Sequence, residues 1–497
     1  MKKVLSIFLV VTILTFCFQT ILKAQSTKVY DIVLTGGRVI DPETRLDAIR
    51  NVGIIQHHIA AISTQPLKGK ETINVSGLVV APGFIDMHVH GRSNKEQEFQ
   101  LHDGLTTTLE LEWGIEFLKN WYGLRESKAL INYGASVCWP FERFRAMDKY
   151  KENVQQFYQS SLIKESSLEN LFNTIGASYN DPLSKEETIK MLSNIQSSLS
   201  EGGIGIGVPI GYLPKSNPGE MLRVYQLAAE KKVLIFSHVR EASIMGIQEA
   251  IADAMLTGAS LHIVHINSMS LSKIQLALDM IDMANKKGFD ISTEMYPYTA
   301  ASTLLQSAIF NDGWQEKLGM NYGDLQWVAT GERLTKETFE TYRKSGGAVI
   351  MHMMKPEWLK IGLTDPKTMI ASDGMPYAPL AHPRTAGTFS RVLGKYVREE
   401  KVIDLMTAIG KMSYLPAKRL ETIAPSMHLK GRLQVGADAD ICVFNPTTIT
   451  DKASFEKGLA FSEGMEFVIV NGILVLKNGK TLSNTFPGQP IYGKFKK

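Results

Sequence analysis

The strongest constraint on this chain is a rhythm. From residue 81 onward, helical patterns alternate with short apolar strands. Met221–Lys231 has helical periodicity and precedes the apolar run Val233–Phe236. Ile244–Leu256 precedes Leu261–Val264, and Leu271–Lys287 precedes Ile291–Thr293. Repeated strand–helix units bury both sheet faces under helices, so they predict a parallel sheet, either open or closed into a barrel. The rhythm breaks after Tyr298. The stretch from there to Ser372 is too long for one loop, which predicts an inserted subdomain over residues 303–346, with Ala348–Met351 as a strand within or after it.

Both ends of the chain have a different texture. Residues 29–80 read as short strands and turns, with Val52–Gln56 and His58–Ile62 as a hairpin carrying His57 and His58 at its tip. These two histidines have no sequence neighbour to share a ligand and read as exposed turn residues. After residue 425 the strand-and-turn style returns, in Ala439–Phe444 and Glu466–Gly472. The simplest geometry is one small β-domain built from both termini around the strand–helix region.

The chemistry collects at strand ends. In Pro82–Gly91, His88 and His90 are two apart, and alternate side chains on a strand share a face. Both imidazoles therefore reach one ion. His238 ends the strand Val233–Ser237, His265 ends Leu261–Val264, and Asp373 follows Thr368–Ser372. The C-terminal strand ends form the functional face of parallel α/β folds. Four histidines and a carboxylate converge there only if the sheet closes, and such a set suits a zinc-type ion. His262 points away from a strand-end partner and reads as a packing residue.

Composition limits the alternatives. The chain has 497 residues, 44% of them hydrophobic, and a net charge of +4. Lys2, Lys3 and Lys23 account for most of that charge, so the rest is near neutral and lacks the basic surface of a nucleic-acid binder. Lys2 and Lys3 precede the uncharged stretch Val4–Phe18, the layout of a signal peptide over residues 1–24. That predicts export, to the periplasm in a bacterium, with no membrane span after cleavage. The mature chain keeps Cys138 and Cys442, read as free thiols.

Further pieces carry a resemblance: Gly104–Thr107, Tyr296–Ser302, Ser372–Gly374, His382–Arg391 and the closing Gly436–Asp440. In this order the pattern resembles the amidohydrolase superfamily, in particular its N-acyl-D-amino-acid deacylase (D-aminoacylase) branch. The resemblance implies a (β/α)8 TIM-like barrel over 82–425 with a small β-sandwich from residues 25–81 and 426–497. It implies His88 and His90 as ligands on strand one, His238 and His265 as ligands on strands five and six, and Asp373 as ligand and general base on strand eight. It further implies one or two zinc ions, with Arg384, Tyr296 and Ser302 as substrate contacts. The expected activity is hydrolysis of the amide of an N-acyl amino acid, a small-molecule substrate.

Two departures stand out. The family's strand-two cysteine ligand is replaced by Trp113, which cannot ligate; Glu112 is the favoured substitute and Glu110 the reserve. Strand four carries no lysine to be carbamylated. Asn267 stands where a lysine holds the substrate carboxylate, so one charge is lost and the remaining hydrogen bond is weaker. The alternatives left open are a dipeptidase or a cyclic-amide hydrolase, and an inactive barrel serving as a binding protein.

Overall fold

The computed structural model describes residues 28–213 and 216–497. The signal peptide expected over residues 1–24 lies outside the described residues. Eight parallel strands form one sheet: Phe84–Asp86, Leu105–Ile115, Asn132–Cys138, Ile206–Pro209, Leu234–His238, Ser260–Ile263, Ile291–Met295 and Met369–Ile370. They lie in sequence order and are called barrel strands one to eight below. Beyond their ends, strands one and eight also join. The His90 amide donates to Gly374 O at 2.7 Å, and Gly374 N donates to His88 O at 3.3 Å. Asp86 ties the same seam from inside, because its Oδ1 accepts from the amides of His88 and Ser372. The sheet is thus a barrel, which the periodicity had left undecided.

The helices follow their periodicity closely because their ends are written locally. The helix Pro218–Lys231 begins with Asn217 capping Gly219 N and Pro218 in its first turn. Ile244–Thr257 is capped by Ser243 and stopped by Gly258 in the left-handed region. Ile274–Lys286 buries Ile274, Ala277, Leu278 and Ile281 against the barrel, the spacing of one helical face.

Between strands seven and eight sits the insertion. Three short strands, Ala301–Leu304, Leu325–Trp327 and Ala348–Met351, form an antiparallel sheet in which the last runs down the centre. It has its own core, including Phe310, Trp314, Trp327 and Phe339. The observed sheet begins and ends a few residues outside 303–346, since its two outer limits are paired strands.

The chain ends meet in a nine-stranded sheet. Val79–Pro82 pairs antiparallel with Ile441–Phe444, which joins the two halves. The hairpin tip does more than face solvent. His57 Nδ1 lies 2.8 Å from Asn471 O, and His58 pairs with Asp438, so both histidines touch the C-terminal half. The last residues leave this sheet and return to the barrel, where Ile491 N donates to Tyr133 O at 2.7 Å. Cys138 and Cys442 are buried free thiols. Among the described residues no helix is long and apolar enough to cross a membrane.

Candidate metal centre

Glu112 occupies the middle of the site, and the backbone explains how. Strand two pairs with strand three through Glu110↔Ala135, and next only at Ile115↔Val137. Residues 111–114 arch out of the ladder, a bulge that re-aims side chains at a sheet rim. Gly114 makes the arch possible. It has φ +72°, and a Cβ there would lie 2.6 Å from Ser136 O.

The arch delivers Glu112 to four imidazoles. Its Oε2 is 3.0 Å from Nε2 of both His88 and His90. Its Oε1 is 2.7 Å from His238 Nδ1 and 3.6 Å from His265 Nε2. Asp373 Oδ1 faces the first pair, at 3.5 Å from His88 and 3.2 Å from His90. Two ligand groups result, His88–His90–Glu112–Asp373 and Glu112–His238–His265, each with its ligand atoms within 4.8 Å of one another. They share Glu112, one carboxylate oxygen turned to each. Nitrogen and carboxylate donors in two adjoining sets fit divalent ions of the zinc type. His265 and Asp373 have φ of +35° and +53°, uncommon for residues with a Cβ, and such strain clusters where a site over-determines the backbone.

Glu110 and Glu112 are both about 2% exposed, so neither is a surface carboxylate. Their roles in the geometry differ. Glu110 Oε2 lies behind the cluster, 3.0 Å from His90 Nδ1, and Arg92 backs it at 3.4 Å. His88 has the same support from a residue that the sequence reading did not single out. Glu294 Oε1 is 2.5 Å from His88 Nδ1, and Glu294 Oε2 is 3.2 Å from His262 Nε2. His262 in turn reaches Ser292 Oγ at 2.8 Å. It is buried as expected of a packing residue, but it belongs to a polar chain that steadies a candidate ligand. An acidic residue inside an apolar buried strand needs a partner, and this was the signal available at Glu294.

The electrostatics follow from crowding. Burial would raise the Glu112 carboxyl, but hydrogen bonds from His238, His265, His88 and His90 hold it well below the carboxylate range. Burial acts in the same way on Asp373 and is overcome by the charges of Arg384 and His88. Glu294 is held down to about 2, against burial, chiefly by His88 and His262. His88 and His90 are pushed well above the usual imidazole range, against burial, by Asp373 and Glu294 and by Glu110 respectively. Burial lowers His265. Asp86 rises to about 7 because it is buried, with a small addition from the charge of Glu294.

A cavity of about 470 Å3 opens over the cluster, with His90, Glu112, His238, His265 and Asp373 in its floor. Tyr296 and Ser302 are in its wall. The Ser302 hydroxyl donates to Val349 O at 3.0 Å. Arg384 is fully buried, 2.9 Å from Asp373 Oδ1 through Nη2, while its Nε and Nη1 have no acceptor among the described residues. Asn267 is fully buried and is not among the residues that line the cavity. Its Nδ2 donates to Tyr296 O at 3.2 Å, which makes it a support of strand seven.

Comparison with known proteins gives the family. The N-acyl-D-glutamate deacylase of Alcaligenes xylosoxydans xylosoxydans is 30% identical over 481 residues, covering 90% of this chain and 93% of that one. The chain belongs to the D-aminoacylase branch of the amidohydrolase superfamily. The D-aminoacylase of the same organism is 28% identical over 465 residues, covering 89% of this amidohydrolase and 94% of the relative. Among solved structures, the N-acyl-D-glutamate deacylase of Bordetella bronchiseptica, complexed with zinc and a phosphonate inhibitor, superposes with a TM-score of 0.79. It shares 24% identity and matches 94% of this chain and 100% of that one, a likeness of fold. No protein-family model matches the chain.

Proposed function

We propose that this amidohydrolase is an exported, zinc-dependent deacylase that cleaves N-acyl-D-amino acids into a carboxylate and an amino acid. The observation that carries the reading is Glu112, one carboxylate shared by two histidine pairs beneath a cavity. The named relatives act on N-acyl-D-amino acids or bear D-aminoacylase names, and one is complexed with zinc. His238, His265 and Glu112 would hold the tighter ion, and His88, His90 and Asp373 would complete a second site. When bound, a divalent ion polarises a carbonyl and brings the pKa of water from 15.7 to about 7.

The protein's own residues do the rest. Asp373 takes the proton of the attacking water and passes it to the leaving amine. Arg384 keeps Asp373 ionised and so able to accept that proton. The two guanidinium nitrogens without acceptors among the described residues would receive a substrate carboxylate arriving past Tyr296. The test is a panel of N-acyl-D- and N-acyl-L-amino acids, dipeptides and dihydrouracil, assayed beside metal quantification. Cleavage of the D-series by zinc-loaded protein supports the reading. Preferential turnover of dipeptides or of the ring reassigns the substrate, and a protein that binds no metal is a scaffold rather than an enzyme.

A further inference from the structure

The cavity has two unlike sides. Its floor is the ligand cluster. On one side, Tyr296 and Ser302 stand at and after strand seven, with Arg384 behind them and next to Asp373 of strand eight. Across the barrel, the wall includes Trp113 of strand two, Tyr212 just after strand four, and Leu168 and Phe172 of the helix Leu168–Ile175. Strands two to four and strands seven and eight occupy opposite sectors of a barrel whose strands run in sequence order.

The far wall is aromatic and fixed. Trp113 and Tyr212 have ring centroids 5.0 Å apart, Trp113 and Phe172 5.8 Å, and Phe172 and Tyr212 6.0 Å. Each ring is at most 8% exposed, so their positions are set by mutual packing. None of the four side chains is charged, and the Tyr212 hydroxyl is engaged with Thr303 Oγ1 at 2.9 Å. This wall therefore offers apolar contact and little else.

In an N-acyl amino acid the amide carbon joins two arms. The amino-acid arm bears the carboxylate and belongs with Arg384. The acyl arm leaves the reacting carbon in the opposite direction, toward Trp113, Phe172, Tyr212 and Leu168. A cavity of about 470 Å3 is in the range that encloses a drug-sized ligand, far more than an acetyl group occupies. We infer that this wall is an acyl subsite and that the substrate carries an acyl group with a large apolar body, longer than acetyl. The inference rests on the deacylase reading above and gives it a substrate class.

The experiment uses the zinc-loaded protein with acetyl, hexanoyl and phenylacetyl derivatives of D- and L-leucine. At about fourfold per buried methylene, burial of even two of the four extra methylenes should raise kcat/KM for hexanoyl above that for acetyl by more than about tenfold. Phenylacetyl should do likewise. Phe172→Trp, which fills the subsite, should lower the hexanoyl-to-acetyl ratio. Hexanoate and phenylacetate should inhibit the wild-type protein more tightly than acetate, a measurement that needs no variant to fold. Equal or better turnover of the acetyl derivative, or equal inhibition by the three acids, overturns the acyl subsite and leaves the deacylase intact. Failure to cleave any derivative overturns the deacylase reading itself.

Discussion

The two halves of the metal centre are built differently although they share Glu112. His88 and His90 are each held from behind, by Glu294 and Glu110, with Nδ1 engaged and Nε2 turned to the cluster. Among the described residues His265 has no partner for Nδ1, and His238 uses its Nδ1 on Glu112 itself. A carboxylate behind an imidazole fixes its tautomer and its orientation. The first half is therefore oriented by the protein, and the second is oriented chiefly by Glu112 and by whatever binds between its rings. The contrast places the carboxylate supports, from strands two and seven, behind the two ligands that follow strand one.

Removing the shared element should have the largest effect. Glu112→Ala should leave neither half able to keep an ion through dialysis, with turnover lost alongside. Stoichiometric metal in that variant, measured by elemental analysis, would show the halves to be independent. Asp373→Asn should come next, lowering kcat by about 10²–10⁴-fold while the His238–His265 half keeps its metal. Wild-type rates in that variant would remove Asp373 from the proton transfer.

Cutting the supports should be milder and one-sided. Glu294→Ala or Glu110→Ala should weaken metal affinity by about 10–100-fold, with the loss confined to the His88–His90 half. The matching Gln variants should recover part of it, because an amide oxygen still accepts from Nδ1–H. Competition titration with a chelator separates the two halves, and an equal loss in both would erase the contrast. The smallest effect is on pH. Because His88 and His90 sit above the usual imidazole value, protons compete with metal there at higher pH than for a free histidine, near 6.5. Apparent affinity should fall as pH drops through that raised range, and metal binding should release protons. Isothermal titration in buffers of different ionisation enthalpy reads the release directly.

Much of the architecture was legible because the relevant signals are local. One-sided apolar spacing gave the helices at 218–231, 244–257 and 274–286 to within three residues at each end. The His-x-His pair was legible because strand alternation alone puts both rings on one face. Glu294 was missed because its partners are His88 and His262, distant in the chain. Asn267 read as a substrate contact because it sits two residues after His265, yet its amide turns to the Tyr296 carbonyl. Position along a strand end does not say which way a short side chain is drawn once strand seven is packed beside it.

The sequence by itself determined the alphabet of the site: nitrogen and carboxylate donors at strand ends, with a tryptophan where a cysteine ligand was expected. It also determined the strand–helix order that makes a parallel sheet. Only the tertiary structure decided that the sheet closes, through hydrogen bonds between residues 88–91 and 374 and the Asp86 seam. Only it decided that Glu112, not Glu110, faces all four imidazoles, because that choice depends on how a bulge around Gly114 fits against strand three. Local chemistry is encoded in neighbours along the chain, whereas convergence requires the loops to close and distant strands to pair.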